Sequence, residues 1–223
     1  MLPALHCPVC ESNPVRRFAR LEARDYWRCE ACEATFVDPA QLPDIDTERA
    51  QYALHRNDPD DAGYRAFLGR LATPLLQRLQ TRPPPGLRGL DYGCGPGPAL
   101  AAMLREAGHT VALYDPLFCN DPAVLTGSYD FIACTEVAEH FHHAAQAFAQ
   151  LDRLLAPGGW LGVMTGFAPD DQDFARWHYR RDPTHVVFYR AATFEVLARR
   201  HRWRCEIPCN NVALLHKPEP SPC

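Results

Sequence analysis

The sequence predicts an α/β fold, a mostly parallel sheet covered on both faces, with a small four-cysteine zinc ribbon ahead of it. Three observations carry that expectation. Strand-like and helix-like stretches alternate after Gly86, a glycine-rich loop at 93–97 lies between the first such strand and helix, and two CxxC pairs stand near the N-terminus. Alternation of this kind places helices on both faces of a parallel sheet. At 223 residues the chain accommodates one α/β domain of ordinary size and a small addition.

The first element is the ribbon. Cys7, Cys10, Cys29 and Cys32 have the spacing C-x2-C-x18-C-x2-C, which lets two CxxC turns fold around one tetrahedral Zn²⁺. The segment Leu5 to Val37 is turn-rich and has little core of its own, so a structural zinc would supply what packing does not. It carries five arginines against five acids, which gives no charge signal for nucleic acid. A protein partner through the ribbon is a further expectation.

A proline-containing stretch follows, then helical spacing over Thr47 to Leu54 and over Tyr64 to Leu79, where Phe67, Leu68, Leu71, Leu75, Leu76 and Leu79 form one face. Thr81-Arg-Pro-Pro-Pro-Gly86 cannot continue a helix. The domain reading is therefore 1–38 ribbon, 39–85 helical connector and 86–218 main domain. Within the last, strands are expected at Gly89–Tyr92, Thr110–Tyr114, Tyr129–Cys134 and Trp160–Thr165, with helices at Pro98–Ala107 and His143–Leu155. Only Ala123–Leu125 is available for a strand between the second and the one at Tyr129. Trp203–Ile207 and Val212–His216 flank a turn-like Pro208-Cys-Asn-Asn211 and predict a closing hairpin.

No stretch approaches the roughly 18 uninterrupted apolar residues of a membrane span. The first ten residues lack the pattern of a secretory signal, so the expected location is the cytoplasm. A net charge of −4 disfavours a general polyanion binder, yet Phe174 to Arg204 holds eight arginines against Asp182 and Glu195, a local +6. That segment reads either as solvated helix faces or as a surface for an acidic or nucleic-acid substrate.

The glycine loop follows a strand and opens a helix, an arrangement that brings a nucleotide-like ligand to the carboxyl end of the sheet. Gly93, Gly95 and Gly97 are spaced G-x-G-x-G, and Pro98 follows, so the dinucleotide fingerprint is not met. Asp91 suits a ligand bearing an ammonium group and a sulfonium better than a pyrophosphate. Asp115, at the end of the next strand, is placed to accept hydrogen bonds from ribose hydroxyls.

Four strings, LDYGCGPG (90–97), VALYDP (111–116), YDFIACTEVAEH (129–140) and LAPGGWLGVMT (155–165), resemble the class I S-adenosylmethionine-dependent methyltransferases, over roughly Leu87 to Lys217. The resemblance implies a Rossmann-like, seven-stranded sheet with S-adenosyl-L-methionine above its first two strands. It implies that Asp91, Gly93, Cys94, Gly95 and Gly97 line the methionine end, that Asp115 holds the ribose, and that Cys134, Thr135 and Glu136 border the methyl group.

Methyl transfer to a nucleophile is an in-line displacement on an activated sulfonium, so the enzyme aligns the acceptor and removes its proton where needed. Glu136, Glu139 and His140 stand at i, i+3 and i+4, which on a helical turn gathers three ligand-type side chains. The string resembles the E-x-x-E-H motif of ubiquinone-biosynthesis O-methyltransferases and RNA 3′-end 2′-O-methyltransferases, which implies Mg²⁺ or Mn²⁺ held by Glu136, Glu139 and His140, with His185 as a further ligand. His185 is the first choice for general base or metal ligand, with Tyr179 and Asp182 lining the acceptor. The leading expectation is methylation of a hydroxyl on a small molecule or lipid precursor. The alternatives are an RNA methyltransferase and a non-enzymatic ribbon module on a cofactor-binding scaffold.

Overall fold

The computed structural model describes residues 5–54, 57–80 and 86–220. Strands β1 (Val15–Leu21), β2 (Arg24–Cys29) and β3 (Thr35–Val37) form the cysteine-bearing module. Helices α1 (Ile45–Tyr52) and α2 (Ala62–Leu79) connect it to the main sheet. There follow β4 (Arg88–Tyr92), α3 (Ala99–Glu106), β5 (Thr110–Tyr114), β6 (Tyr129–Thr135), α4 (Ala144–Leu154) and β7 (Leu155–Met164). The chain continues through α5 (Asp171–Phe174), β8 (Val187–Phe188), α6 (Ala191–His201), β9 (Arg204–Cys209) and β10 (Val212–His216). The proline run at 81–85, where the boundary was expected, lies outside the described residues.

The main sheet has the order β5-β4-β6-β7-β10-β9, parallel from β5 to β7 and antiparallel through β10 and β9. The strands and closing hairpin expected from alternation are all present. The third strand is not: Ala123–Leu125 lies in a 3₁₀ helix, Pro122–Thr126, so the sheet has six strands among the described residues rather than seven. Pro122 removes a ladder donor, and the Asp121 carboxylate accepts the Ala123 amide at 2.9 Å, which starts a turn instead.

Two apolar layers cover the sheet. On one face α2 and α3 bring Leu68, Leu71, Leu75 and Leu104 onto Phe131, Ala133, Met164 and Leu214. On the other, α4 and α6 pack Phe148, Leu151, Phe194 and Leu197 over Ile132, Cys134, Leu161 and Leu215. The second layer runs on into the cysteine module, through Phe174 and Phe188 to Tyr26, Phe36 and Val37. Backbone pairing reinforces this continuity: β3 pairs antiparallel with β8, completing a four-stranded sheet β1-β2-β3-β8.

Charge fixes the same junction. Glu11, Glu22 and Glu33 occupy left-handed turn positions (φ 57°, 58° and 60°). They meet Arg200, Arg180 and Arg190 at 2.7, 3.5 and 3.3 Å. Three of the eight arginines in the Phe174–Arg204 segment thus meet the module's own acids, a role that neither solvated helix faces nor a substrate surface anticipates. No helix among the described residues is long and apolar enough to cross a membrane.

Candidate active site

The parallel strands β4, β5 and β6 end at one edge of the sheet, where a cavity of about 600 Å³ opens. Open α/β sheets bind ligands at this edge. The loop after β4 supplies Gly93, Cys94, Gly95 and Gly97, β5 supplies Asp115, and β6 with its following turn supplies Thr135, Glu136, Glu139 and His140. Asp91, Asp182 and His185 also line it. The glycines are required by their neighbours: Gly93 has φ +78°, and a Cβ there would stand 2.3 Å from Val137. A Cβ at Gly97 would meet the Asn57 carbonyl at 1.8 Å, because Asn57 lies over the loop.

Asp115 is nearly buried, and its carboxylate accepts the amides of Gly95 (3.0 Å), Leu117 (2.9 Å) and Phe118 (3.1 Å). Those bonds hold the loop and the strand end around one acid. Asp91 is buried, and desolvation raises its carboxyl from the usual range up to about 7, partly offset by the Ala101 amide and by Arg105.

Beyond the loop the predicted acceptor residues converge, though not as a helical turn. Only Ala138–His140 form a 3₁₀ turn, and Glu136 sits before it in the left-handed region at φ +52°, its amide donating to Met164 at 2.8 Å. A non-glycine residue there is costly and marks a conformation imposed by its surroundings. The strand alternation of β6 then turns Thr135 to the cavity and Cys134 into the opposite apolar layer, fully buried. Cys134 therefore does not border the cavity, contrary to the expectation. Tyr179 also stands behind the lining. Its hydroxyl lies 2.6 Å from Glu139 Oε1, 3.1 Å from Glu136 Oε2 and 3.2 Å from Thr165 Oγ1. Burial, followed by the neighbouring Glu139, raises the Glu136 carboxyl to about 8; burial raises the Tyr179 phenol far above its usual range.

Two histidines are oriented by backbone carbonyls. His140 Nδ1 lies 3.0 Å from the Thr184 oxygen and His185 Nδ1 2.7 Å from the Tyr179 oxygen. A carbonyl only accepts, so each Nδ1 carries hydrogen and each Nε2 of the neutral ring presents a lone pair. Those Nε2 atoms stand 3.9 and 4.0 Å from Glu139 Oε1. Burial lowers the His185 pKa and favours that neutral form, against the opposite pull of Glu139. Glu139 is fully buried, and its Oε2 has no hydrogen-bond partner. A buried carboxylate with one oxygen unpartnered, whose other oxygen faces two imidazole lone pairs, fits a cation.

The four cysteines form a second cluster. Cys7 and Cys32 Sγ are 3.6 Å apart and Cys10 and Cys29 Sγ 3.5 Å, all four being buried. A tetrahedral Zn²⁺ with bonds of about 2.3 Å separates its sulfurs by about 3.8 Å, so the cluster fits that ion. Among the described residues these two are the groups that bring three or more metal-ligand side chains together.

Sequence reasoning missed Tyr52, Asn57, Tyr64 and Phe118 as cavity residues. The only signal of the three aromatics was their presence in a connector and a loop, which reads equally as packing, and Asn57 carried none.

The fold and the strand-end cavity are those of a Rossmann-like α/β methyltransferase. A profile described as a methyltransferase domain matches residues 64–205. The chain belongs to that family. It is similar to Burkholderia thailandensis 1,6-didemethyltoxoflavin-N1-methyltransferase, solved with 1,6-didemethyltoxoflavin and S-adenosylhomocysteine, at TM-score 0.58 and 15% identity over 90% of this chain and 99% of that one. It is also similar to magnesium protoporphyrin IX methyltransferase from Synechocystis PCC 6803 with bound S-adenosylhomocysteine, at TM-score 0.51 and 17% identity over 78% of this chain and 93% of that one. No curated protein sequence matches the chain.

Proposed function

We propose that this protein transfers the methyl group of S-adenosylmethionine to a hydroxyl of a small molecule, aided by a divalent ion at Glu139, His140 and His185, and that Zn²⁺ holds its four cysteines. The observation that carries the reading is the buried, half-orphaned Glu139 carboxylate opposite two Nε2 lone pairs, at the end of the glycine-loop cavity. S-adenosylmethionine supplies an electrophilic methyl on sulfur. Asp91 and the loop backbone at Gly93, Cys94, Gly95 and Gly97 would hold its methionine end, and Asp115 the ribose. Thr135 and Glu136 would border the methyl group. A divalent ion, when bound, lowers the pKa of a ligated hydroxyl. Two imidazoles with one carboxylate favour Mn²⁺ or another first-row ion over Mg²⁺. His185 then orients the acceptor or takes its proton, and Asp182 lines the approach.

The cavity's charge supports a small acceptor over RNA. Among the described residues its lining includes Glu48, Asp91, Asp115, Glu136, Glu139 and Asp182, and no lysine or arginine. A polyphosphate backbone entering this cavity meets repulsion without a compensating cation from the protein.

The test is calorimetric titration with Mn²⁺ in the presence of S-adenosylhomocysteine. His185→Ala should weaken Mn²⁺ binding by at least about tenfold and depress turnover, with S-adenosylhomocysteine affinity unchanged. Equal Mn²⁺ affinity in variant and parent sinks the ion-binding role.

A pH dependence follows from Asp91. Its folded pKa near 7 lies above the ordinary carboxyl value, so the carboxyl is neutral at low pH and gains charge as pH rises through 7. Affinity for the sulfonium donor should therefore rise by roughly eightfold between pH 6 and 7.5, and Asp91→Asn should flatten that rise. In the unliganded chain the same shift has the opposite sense. The folded state binds the extra proton, so Asp91's contribution to stability declines from about pH 4 to 7.

A further inference from the structure

We infer that Arg24, from the hairpin of the cysteine module, and Gln51, from α1, are positioning residues that set the turn carrying Asp182 and His185. The inference rests on the placement of His140 and His185 at the acceptor end of the cavity.

The turn is written locally in Asp182-Pro183-Thr184-His185. The His185 amide donates to the Asp182 carbonyl at 3.3 Å, with proline at the second turn position, where its fixed φ is favoured. Asp182 Oδ1 accepts the Thr184 amide at 2.8 Å and its hydroxyl at 2.6 Å. These bonds shape the turn but do not say where it sits. Its place is set from outside. Arg24 donates through Nη1 to the Asp182 carbonyl at 3.2 Å and through Nη2 to the Pro183 carbonyl. Gln51 Nε2 donates to Asp182 Oδ2 at 3.1 Å. The two donors approach from separate elements: Arg24 Nη2 and Gln51 reach acceptors that the turn leaves unused, and Arg24 Nη1 shares the Asp182 carbonyl with the His185 amide.

What the turn positions is both imidazoles. His185 ends it, and the Thr184 carbonyl within it accepts His140 Nδ1. Backbone bonds extend the same chain: the Val37 amide of β3 donates to Val186 at 2.9 Å, and the Val186 amide donates to Glu139 at 2.8 Å. A guanidinium suits this clamp because its planar fork spans two adjacent carbonyls, which an ammonium does not. A turn freed at Arg24 lets the Thr184 carbonyl leave His140 and carries His185 off the Tyr179 carbonyl, so each ring can then exchange tautomer.

Long-range ¹H–¹⁵N NMR of the histidine rings in the unloaded full chain tests this, alongside calorimetry with Mn²⁺ and with S-adenosylhomocysteine. In the parent, His140 and His185 should both show protonated Nδ1 and bare Nε2. Arg24→Ala should give mixed tautomers and about tenfold weaker Mn²⁺ binding, with S-adenosylhomocysteine affinity unchanged, and Arg24→Lys should restore only part of the loss. Gln51→Ala, on a helix with no buried residue, should shift the same signals in the same direction and serves where Arg24→Ala does not fold. Parent-like tautomers in folded Arg24→Ala, or in Gln51→Ala where that variant stands in, overturn the inference. So does a fall in melting temperature alone. A parent that binds no Mn²⁺ counts against the divalent-ion reading, and the tautomer signals then still decide the positioning role.

Discussion

Asp115→Ala is expected to bind S-adenosylhomocysteine about 10- to 100-fold more weakly than the parent, with zinc content unchanged. The acid ends β5 and already organises the loop through the Gly95, Leu117 and Phe118 amides. Each carboxylate oxygen retains capacity for a ribose hydroxyl. A hydrogen bond to a charged acceptor contributes about 1.5–3 kcal/mol, and each 1.4 kcal/mol is about tenfold in Kd. Removing the carboxylate also leaves the three amides without their partner, so the loop loses its preorganised form. Isothermal calorimetry measures the affinity directly. Parent-like binding by the variant removes Asp115 from the cofactor site.

The second large effect is expected at the cysteines. Cys29→Ser replaces one of four buried sulfurs whose neighbour stands 3.5 Å away. Structural zinc supplies about 10–16 kcal/mol of apparent binding energy in small zinc modules, and loss of one thiolate forfeits much of it. The module shares an apolar layer with the main sheet and pairs β3 with β8, so its unfolding exposes Phe174 and Phe188 as well. The variant should lose stoichiometric zinc by elemental analysis and melt at a markedly lower temperature, with added chelator having little further effect. A variant that keeps both its zinc and its melting temperature contradicts the structural-zinc account.

These two sites are also where the sequence was most informative, and the reason is locality. A CxxC pair brings its own ligands together within one turn, and an acid at a strand end following a glycine loop is fixed by a single βαβ unit. The parallel sheet was legible for a similar reason, since alternation of strand and helix is a local pattern. The orientation of Cys134 was not: β6 reads YDFIACT, is buried on both faces, and so shows no alternation from which its cavity side can be told. Glu139 and His140 stand close through a left-handed residue before a 3₁₀ turn and not through helical spacing, and the three-ligand group they form with His185 leaves out Glu136, which the i, i+3, i+4 pattern had included. The donors to the Asp182 turn lie 158 and 131 residues away in the chain, at Arg24 and Gln51, and no local pattern marks them. The local +6 of Phe174–Arg204 left solvated helix faces and a surface for an acidic or nucleic-acid substrate both open, whereas three of its arginines meet Glu11, Glu22 and Glu33 across a junction that only the fold creates.

The most direct measurement is calorimetric titration of the purified chain with S-adenosylhomocysteine and, separately, with NAD. The account predicts one S-adenosylhomocysteine bound per chain and no heat of binding with NAD. Binding of NAD in its place, or of neither ligand, would contradict the assignment of the glycine-loop cavity to a methyl donor.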